Sequence, residues 1–324
     1  MKARFHEPVL DSEVIEFLAP GDGKVMVDAT IGGGGHARAV LDRPGPGGGM
    51  IEKLIGIDLD PEALDFAAGR LKEDQSRVSL HQGSFDDLPG ILAKEGLEQV
   101  DGVLLDLGVS LHQLTKPERG FGIREDGPLD MRMDPGAGES AADLLKRLGE
   151  KEMADLIYKY GEERFSRRIA RAIVQSREEG RPVTTTGELS RLVERTVSGK
   201  KEKIHPATRT FQALRIAVNR ELSRLEKALY DIPGLLAPEG RAVIISYHSL
   251  EDRRVKQSFQ KEAKGCTCPP GQPVCTCDAR PRLQVLTRKP VRPGQDEIRR
   301  NPAARSARLR AARKLYEKAE EGKP

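Results

Sequence analysis

Tryptophan is missing from this chain, and aromatic residues of all kinds make up only 4% of its 324 positions. That scarcity excludes a module that binds through an aromatic-rich surface. Cysteine is nearly as rare. All four lie in one short stretch, Cys266-Thr-Cys268 and Cys275-Thr-Cys277, so no disulfide framework spans the fold. No apolar run approaches the length of a membrane span, and Met1-Lys-Ala-Arg-Phe-His6 lacks the apolar core of a secretory signal. The expected compartment is the cytoplasm, with no membrane partner.

Charge is what the chain has in abundance: 32% of residues are charged and the net charge is +4. The distribution is uneven. From Arg280 to Pro324 there are 14 Lys/Arg against 5 Asp/Glu, while the preceding residues are slightly acidic. A basic C-terminal tail on an acidic body suits a polyanion, because phosphate contacts supply most of the affinity in nucleic-acid binding.

Near the N-terminus a hydrophobic strand, Lys24–Asp28, runs into the glycine loop Gly32-Gly-Gly-Gly35-His36, and a second strand, Lys53–Asp58, ends in an acid. Glycines let the backbone approach a ligand closely, and a carboxylate on the next strand can accept hydrogen bonds from ribose hydroxyls. Two further runs, Arg77–His81 and Gly102–Asp106, read as strands, with helical patterns such as Pro61–Leu71 between them. Strands separated by helices imply a parallel α/β sheet covered on both faces. Asp106 would then stand with Asp28 and Asp58 at the edge of the sheet where ligands bind.

From 140 to 229 the strand signal disappears. Helical patterns cover Ala141–Leu148, Lys151–Tyr160, Glu162–Arg177, Thr186–Thr196 and Ala207–Leu229. Strand patterns return at Arg241–Ser246, after the turn Pro238-Glu-Gly240, and at Leu283–Thr287. The chain therefore reads as a discontinuous sheet domain, 1–115 with 216–324, interrupted by an all-helical subdomain, 116–215.

Several segments are long enough to be specific. Gly32–His36, Leu105-Asp-Leu-Gly-Val-Ser110, Glu118-Arg-Gly-Phe-Gly122 and Gly127-Pro-Leu-Asp-Met-Arg-Met-Asp134 resemble the bacterial 16S rRNA cytosine-N4-methyltransferase family. So do Tyr160-Gly-Glu-Glu-Arg164, His205-Pro-Ala-Thr-Arg-Thr-Phe-Gln212, Ser246-Tyr-His-Ser-Leu-Glu-Asp-Arg253 and Asn301-Pro-Ala-Ala-Arg-Ser306. The resemblance implies a Rossmann-like, S-adenosylmethionine (AdoMet)-dependent enzyme. Its substrate would be a cytosine amino group of 16S rRNA in the decoding centre of the small ribosomal subunit.

Carried onto matching positions, the family's cofactor contacts are Gly34, Gly35, His36, Asp58, Phe85, Asp106 and Gln113. Phe85 would lie against the adenine. Asp106 and His248 are the candidates for the chemistry, and Arg132, His205, Arg209, Asn219 and Ser249 for the substrate pocket. The Asp/Asn-Pro-Pro-aromatic signature of DNA amino-methyltransferases is missing, since Asp106-Leu-Gly-Val takes its place. DNA is therefore not expected as a substrate.

Other readings stay open on sequence. Gly32-x-Gly34-x-x-Ala37 also satisfies the loose dinucleotide pattern of a nicotinamide-dependent dehydrogenase. A ribosome-assembly factor that only binds RNA would also carry the basic tail. Cys266, Cys268, Cys275 and Cys277 could wrap one structural zinc, although C-x-C pairs are tighter than the usual spacing. Unligated thiols are the alternative.

Overall fold

A computed structural model describes residues 8–197, 204–264, 268, 272, 274, 277 and 280–316. The chain forms two compact units, Phe5–Gly108 with Ser223–Pro324, and Val109–Leu222. The sequence reading draws the insertion at 116–215. It extends further because Val109, Ala217 and Val218 pack against the helical unit's own core.

The first unit is built on seven strands: β1 (Val25–Asp28), β2 (Lys53–Asp58), β3 (Val78–Gln82), β4 (Val100–Asp106), β5 (Leu236–Ser246), β6 (Leu283–Val285) and β7 (Arg308–Lys314). Their order across the sheet is β3-β2-β1-β4-β5-β7-β6. The first five are parallel, and β7 runs antiparallel to both of its neighbours. This is a Rossmann-like α/β sheet, with one reversed strand inserted near the edge.

Side chains alternate between two cores. Val27, Ile55, Val103, Leu105 and Ile244 face one layer, which includes Leu88, Ile91, Leu229 and Phe259. Met26, Leu54, Leu104, Val243 and Ile245 face the other, with Val14, Leu18, Val40 and Ala67. Burial on both faces explains why these strands read as continuous apolar runs rather than alternating ones. Gly102 keeps the second layer tight, since a methyl group there would drive into the Met26 sulfur.

β5 begins earlier than Arg241. Val100 pairs with Leu236 and Gly102 with Arg241, so 237–240 bulge out of the strand with Glu239 at φ 66°. The Pro-Glu-Gly signal is thus a bulge inside a strand. Ala207–Leu229 also reads as one helix, yet it is two, Thr208–Asn219 and Glu221–Leu235, broken at Arg220 with φ 51°. Within the second helix Pro233 has no N–H for the Leu229 carbonyl, and the Ser258 hydroxyl donates to that carbonyl at 3.4 Å instead.

The basic tail needs the largest correction. Residues 308–314 are not a tail but β7, whose Leu309, Ala311 and Ala312 are buried. Its cations point to partners within the unit. Arg310 Nε donates to Asp252 Oδ1 at 2.6 Å, Arg308 Nη1 reaches Asp252 Oδ2 at 3.3 Å, and Lys314 Nζ donates to the Pro233 carbonyl at 2.7 Å. A Lys/Arg count cannot separate solvated cations from these. Among the described residues, exposed basic side chains of this stretch include Arg280 and Arg282 before β6 and Arg288, Lys289, Arg292, Arg299, Arg300 and Arg305 between β6 and β7.

The helical unit closes its own core around Leu144, Met153, Ile157, Ile169, Ile173, Leu189, Val193, Phe211 and Leu214. These come from the helices Ala141–Arg147, Glu150–Gly161, Ser166–Glu178, Thr186–Val197 and Thr208–Asn219. No helix among the described residues is long and apolar enough to cross a membrane.

Because β7 pairs with β5 over six residues, each ladder bond contributing about 1 kcal/mol, truncation before Arg308 is expected to unfold the sheet unit. Circular dichroism melts test this. A cooperative transition at the full-length temperature would contradict it.

Candidate active site

Asp28, Asp58 and Asp106 close three adjacent strands, β1, β2 and β4, so their carboxylates gather at the carboxyl edge of the sheet. Between β1 and the helix Gly35–Asp42 runs the glycine loop. Gly32 at φ 49° and Gly34 at φ 71° occupy left-handed backbone that other residues adopt only with strain. The Gly32 N–H donates to Asp58 Oδ2 at 2.9 Å, tying the loop to β2. The other oxygen, Asp58 Oδ1, accepts from the Asp60 N–H at 2.9 Å.

Each carboxylate oxygen can accept two hydrogen bonds. With the Leu59 N–H also donating to it, Asp58 retains part of its acceptor capacity for a vicinal diol such as ribose. Its pKa is pushed up to about 6 by burial, partly offset by the Asp60 and Gly32 N–H groups. Asp28 is only 3% exposed. Burial lifts its pKa to about 7 against the pull of His36 and the Thr30 N–H, and the nearby Asp106 and Asp58 raise it further. Carboxylates this poorly solvated suit a ligand that brings positive charge with it. AdoMet, with a sulfonium, an ammonium and a ribose diol, fits this donor set.

Asp106 is held on several sides. Tyr247 O–H donates to Asp106 Oδ1 at 2.8 Å, and the Asp106 N–H donates to Thr30 Oγ1 at 2.6 Å. Oδ2 lies 3.8 Å from His36 Nδ1. His36 Nε2 is 2.9 Å from the Val9 carbonyl, which can only accept, so the Nε2 nitrogen carries the proton. The His36 ring is thus committed beneath the loop. Burial and the Asp106 carboxylate hold the Tyr247 phenol well above its usual pKa, so it remains a donor.

Phe85 opens a short turn after β3 and packs partly buried against the first core layer. His248 and Ser249 follow β5, and Ser249 starts the helix Ser249–Lys264. Buried Glu251 accepts from the Tyr247 and His248 N–H groups at 2.9 and 3.3 Å, which fixes this turn. His248 Nε2 lies 3.2 Å from Glu251 Oε1 without hydrogen-bond geometry. Neither ring nitrogen makes a hydrogen bond among the described residues, and both are buried.

The remaining expected residues belong to the helical unit. Gln113 is buried, and its side-chain oxygen accepts from the Ser110 N–H in a capping box. Arg132 forms a two-pronged pair with Asp130 at 2.7 and 2.9 Å. His205 Nδ1 accepts from the Ala207 N–H at 3.2 Å, which leaves the proton on Nε2, 2.7 Å from Glu194 Oε1. Arg209 stands 3.6 Å from buried Glu163.

Asn219 departs from its expected role. Its amide clamps the backbone, accepting from the Met133 N–H and donating to the Met131 and Arg215 carbonyls at 2.8–2.9 Å. It braces the strained turn at Met131, φ 62°, rather than presenting an amide to substrate. Of the four-cysteine zinc set, Cys266 and Cys275 lie outside the described residues, and Cys268 and Cys277 are partly buried.

Thr30, Tyr247 and Glu251 are the site residues that sequence reasoning missed. Tyr247 and Glu251 lie inside the quoted segment Ser246–Arg253, so a signal was present, but nothing in spacing marks them as Asp106's donor and the turn's brace.

Because both acids titrate above the ordinary carboxylate value in the fold, the native state holds protons that the unfolded chain has released between about pH 4 and 7. Stability therefore falls as pH rises through that window. Asp28→Asn removes the charge and keeps an oxygen for the Thr30 N–H. It is expected to stabilise the ligand-free protein by about 2 kcal/mol at pH 8 and far less at pH 4. Thermal unfolding at both pH values checks this, and equal shifts would contradict it.

Comparison with known proteins agrees with this geometry. The sequence profile described as the MraW methylase family matches residues 3–315. A ribosomal RNA small subunit methyltransferase H of Trichlorobacter lovleyi is 51% identical over 317 residues, covering 97% of this chain and all of its own. Proteins of the same name from Geobacter sulfurreducens and Thermomicrobium roseum are 50% and 49% identical, each over 96% of this chain and 99% and 94% of theirs. With a family match running nearly end to end over a sheet that ends in this acidic crevice, the chain belongs to the MraW methylase family.

Proposed function

We propose that this chain transfers a methyl group from AdoMet to the exocyclic N4 of a cytosine in 16S rRNA, within the decoding centre of the small ribosomal subunit in the cytoplasm. The observation that carries the reading is the half-identity, nearly full-length match to proteins named as small-subunit rRNA methyltransferases. The donor set of the crevice supports it independently.

In this reading Gly34, Gly35 and His36 border the methionine end through close backbone approach. Asp58 takes the ribose hydroxyls, Phe85 meets the adenine, and Asp106 stands beside them; Gln113, in the helical unit, is the remaining candidate cofactor contact. AdoMet supplies an electrophilic methyl group on a sulfonium. The protein's task is positioning, because the cytosine amine is a poor nucleophile whose lone pair is delocalised into the ring. An oriented acceptor for the amine protons localises that lone pair as the nitrogen becomes tetrahedral.

Asp106 suits this role. Tyr247 and Thr30 hold its carboxylate and backbone still, so no reorganisation is needed when the amine arrives. His248, with two buried ring nitrogens unused in hydrogen bonds, lines the base pocket with Ser249. The target cytosine must leave its stack to enter, as bases generally do for such chemistry. Arg288, Lys289, Arg292 and Arg305, exposed beyond β6, supply cations for the RNA backbone. Arg132, His205 and Arg209 of the helical unit remain candidates for RNA contacts.

The test is to incubate the protein with labelled AdoMet and small subunits or naked rRNA lacking the modification, then map the label. The expected product is one N4-methylated cytosine in the decoding centre. His248→Ala is expected to lower turnover at least tenfold while AdoMet affinity stays within about twofold. Label at a ring carbon, at another nucleotide or on protein would contradict the reading.

A further inference from the structure

A loop of four glycines has the highest backbone freedom of any sequence and no side chains to restrain it. Its order must come from outside. The peptide joining Gly33 to Gly34 is pinned at both ends: the Gly34 N–H donates to the Ile31 carbonyl at 2.8 Å, and the Gly33 carbonyl accepts from Arg70 Nη1 at 2.9 Å. Arg70 closes the helix Pro61–Arg70, and its guanidinium lies 5.9 Å from the Phe66 ring centroid on the same helix.

The loop also rests on that helix. A methyl group on Gly34 would meet Ala67 Cβ at 3.5 Å and Arg70 Cδ at 3.6 Å, and one on Gly35 would meet Arg70 Nη1 at 3.5 Å. These are ordinary contact distances, so the loop lies directly against the helix at both positions. The first half of the loop is already tied to β2 through Asp58. Arg70 is what ties the second half to the helix that follows β2.

We propose that Arg70 is a positioning residue for AdoMet, which fixes the Gly33–Gly34 peptide so that the loop is preformed for the methionine end of the cofactor. The inference rests on the cofactor assignment made above. Arg70 does not touch the reacting atoms. Its positive charge does not favour a cationic ligand, so the benefit comes from the hydrogen bond and from ordering the loop. Because Arg70 is exposed beside a polar cleft of about 490 Å³ that it shares with Arg38 and Lys72, the effect is modest.

The experiment compares the full chain, Arg70→Ala and Arg70→Lys by calorimetric titration with AdoMet, S-adenosylhomocysteine and adenosine, alongside methylation kinetics. Arg70→Ala should weaken AdoMet and S-adenosylhomocysteine about fivefold. Adenosine, which lacks the methionine end, should bind within about twofold of the unaltered chain. The KM for AdoMet should rise with kcat unchanged, and Arg70→Lys should recover part of the loss because an ammonium can donate to the same carbonyl. Adenosine weakened as much as AdoMet, an unchanged AdoMet affinity, or a fall in kcat at constant KM would overturn the proposal. If the unaltered chain binds adenosine and not AdoMet, the cofactor assignment falls, and Arg70's role with it.

Discussion

Three carboxylates crowded at the end of a parallel sheet, two of them starved of solvent, are the constraint around which this protein is arranged. β1, β2 and β4 are neighbours, so acids at their ends must share one crevice. Burial is the larger cause: it lifts Asp28 to about 7, with a smaller push from Asp106 and Asp58, and it lifts Asp58 to about 6. Acids ionised at that cost suit a ligand that brings positive charge. The surroundings spend donors to make it tolerable: the Gly32 and Asp60 N–H groups on Asp58, the Thr30 N–H on Asp28, and the Tyr247 hydroxyl on Asp106.

The reversed strand does comparable work for the other half of the site. β7 pairs with β5 from Arg241 to Ser246, the segment that delivers Tyr247 and His248. Through Arg308 and Arg310 it also grips Asp252 in the first turn of the helix that follows. The basic residues that most resemble a nucleic-acid tail in composition are therefore part of the scaffold behind the site. The cations that stay exposed between β6 and β7 are the ones free of this scaffold role.

Much of the site was legible from sequence because its signals are local. A strand running into a glycine loop, a second strand closed by an acid and a third ending in Asp106 are each contained within a few residues, and their spacing already implied a parallel sheet. What was not legible depends on pairing between distant segments. β7 is short and basic, so its burial follows only from lying between β5 and β6, and Arg310 reads as solvated until Asp252 stands opposite it. Asn219 offers the same lesson in reverse. It has a residue type suited to reading a base, but its amide is consumed by the backbone of 131–133, some 86 residues away in sequence. The Ala207–Leu229 pattern hid a break at Arg220 because apolar periodicity persists on both sides of it.

If desolvated acids select the cofactor, AdoMet binding must be coupled to their ionisation. The direct measurement is calorimetric affinity for AdoMet between pH 5.5 and 7.5, in buffers of different ionisation enthalpy, with S-adenosylhomocysteine as the ligand lacking the sulfonium charge. The account predicts that AdoMet affinity rises about tenfold across this range with net proton release, and that S-adenosylhomocysteine responds less. An affinity for AdoMet that is flat or falls with pH, with no proton released, would contradict it.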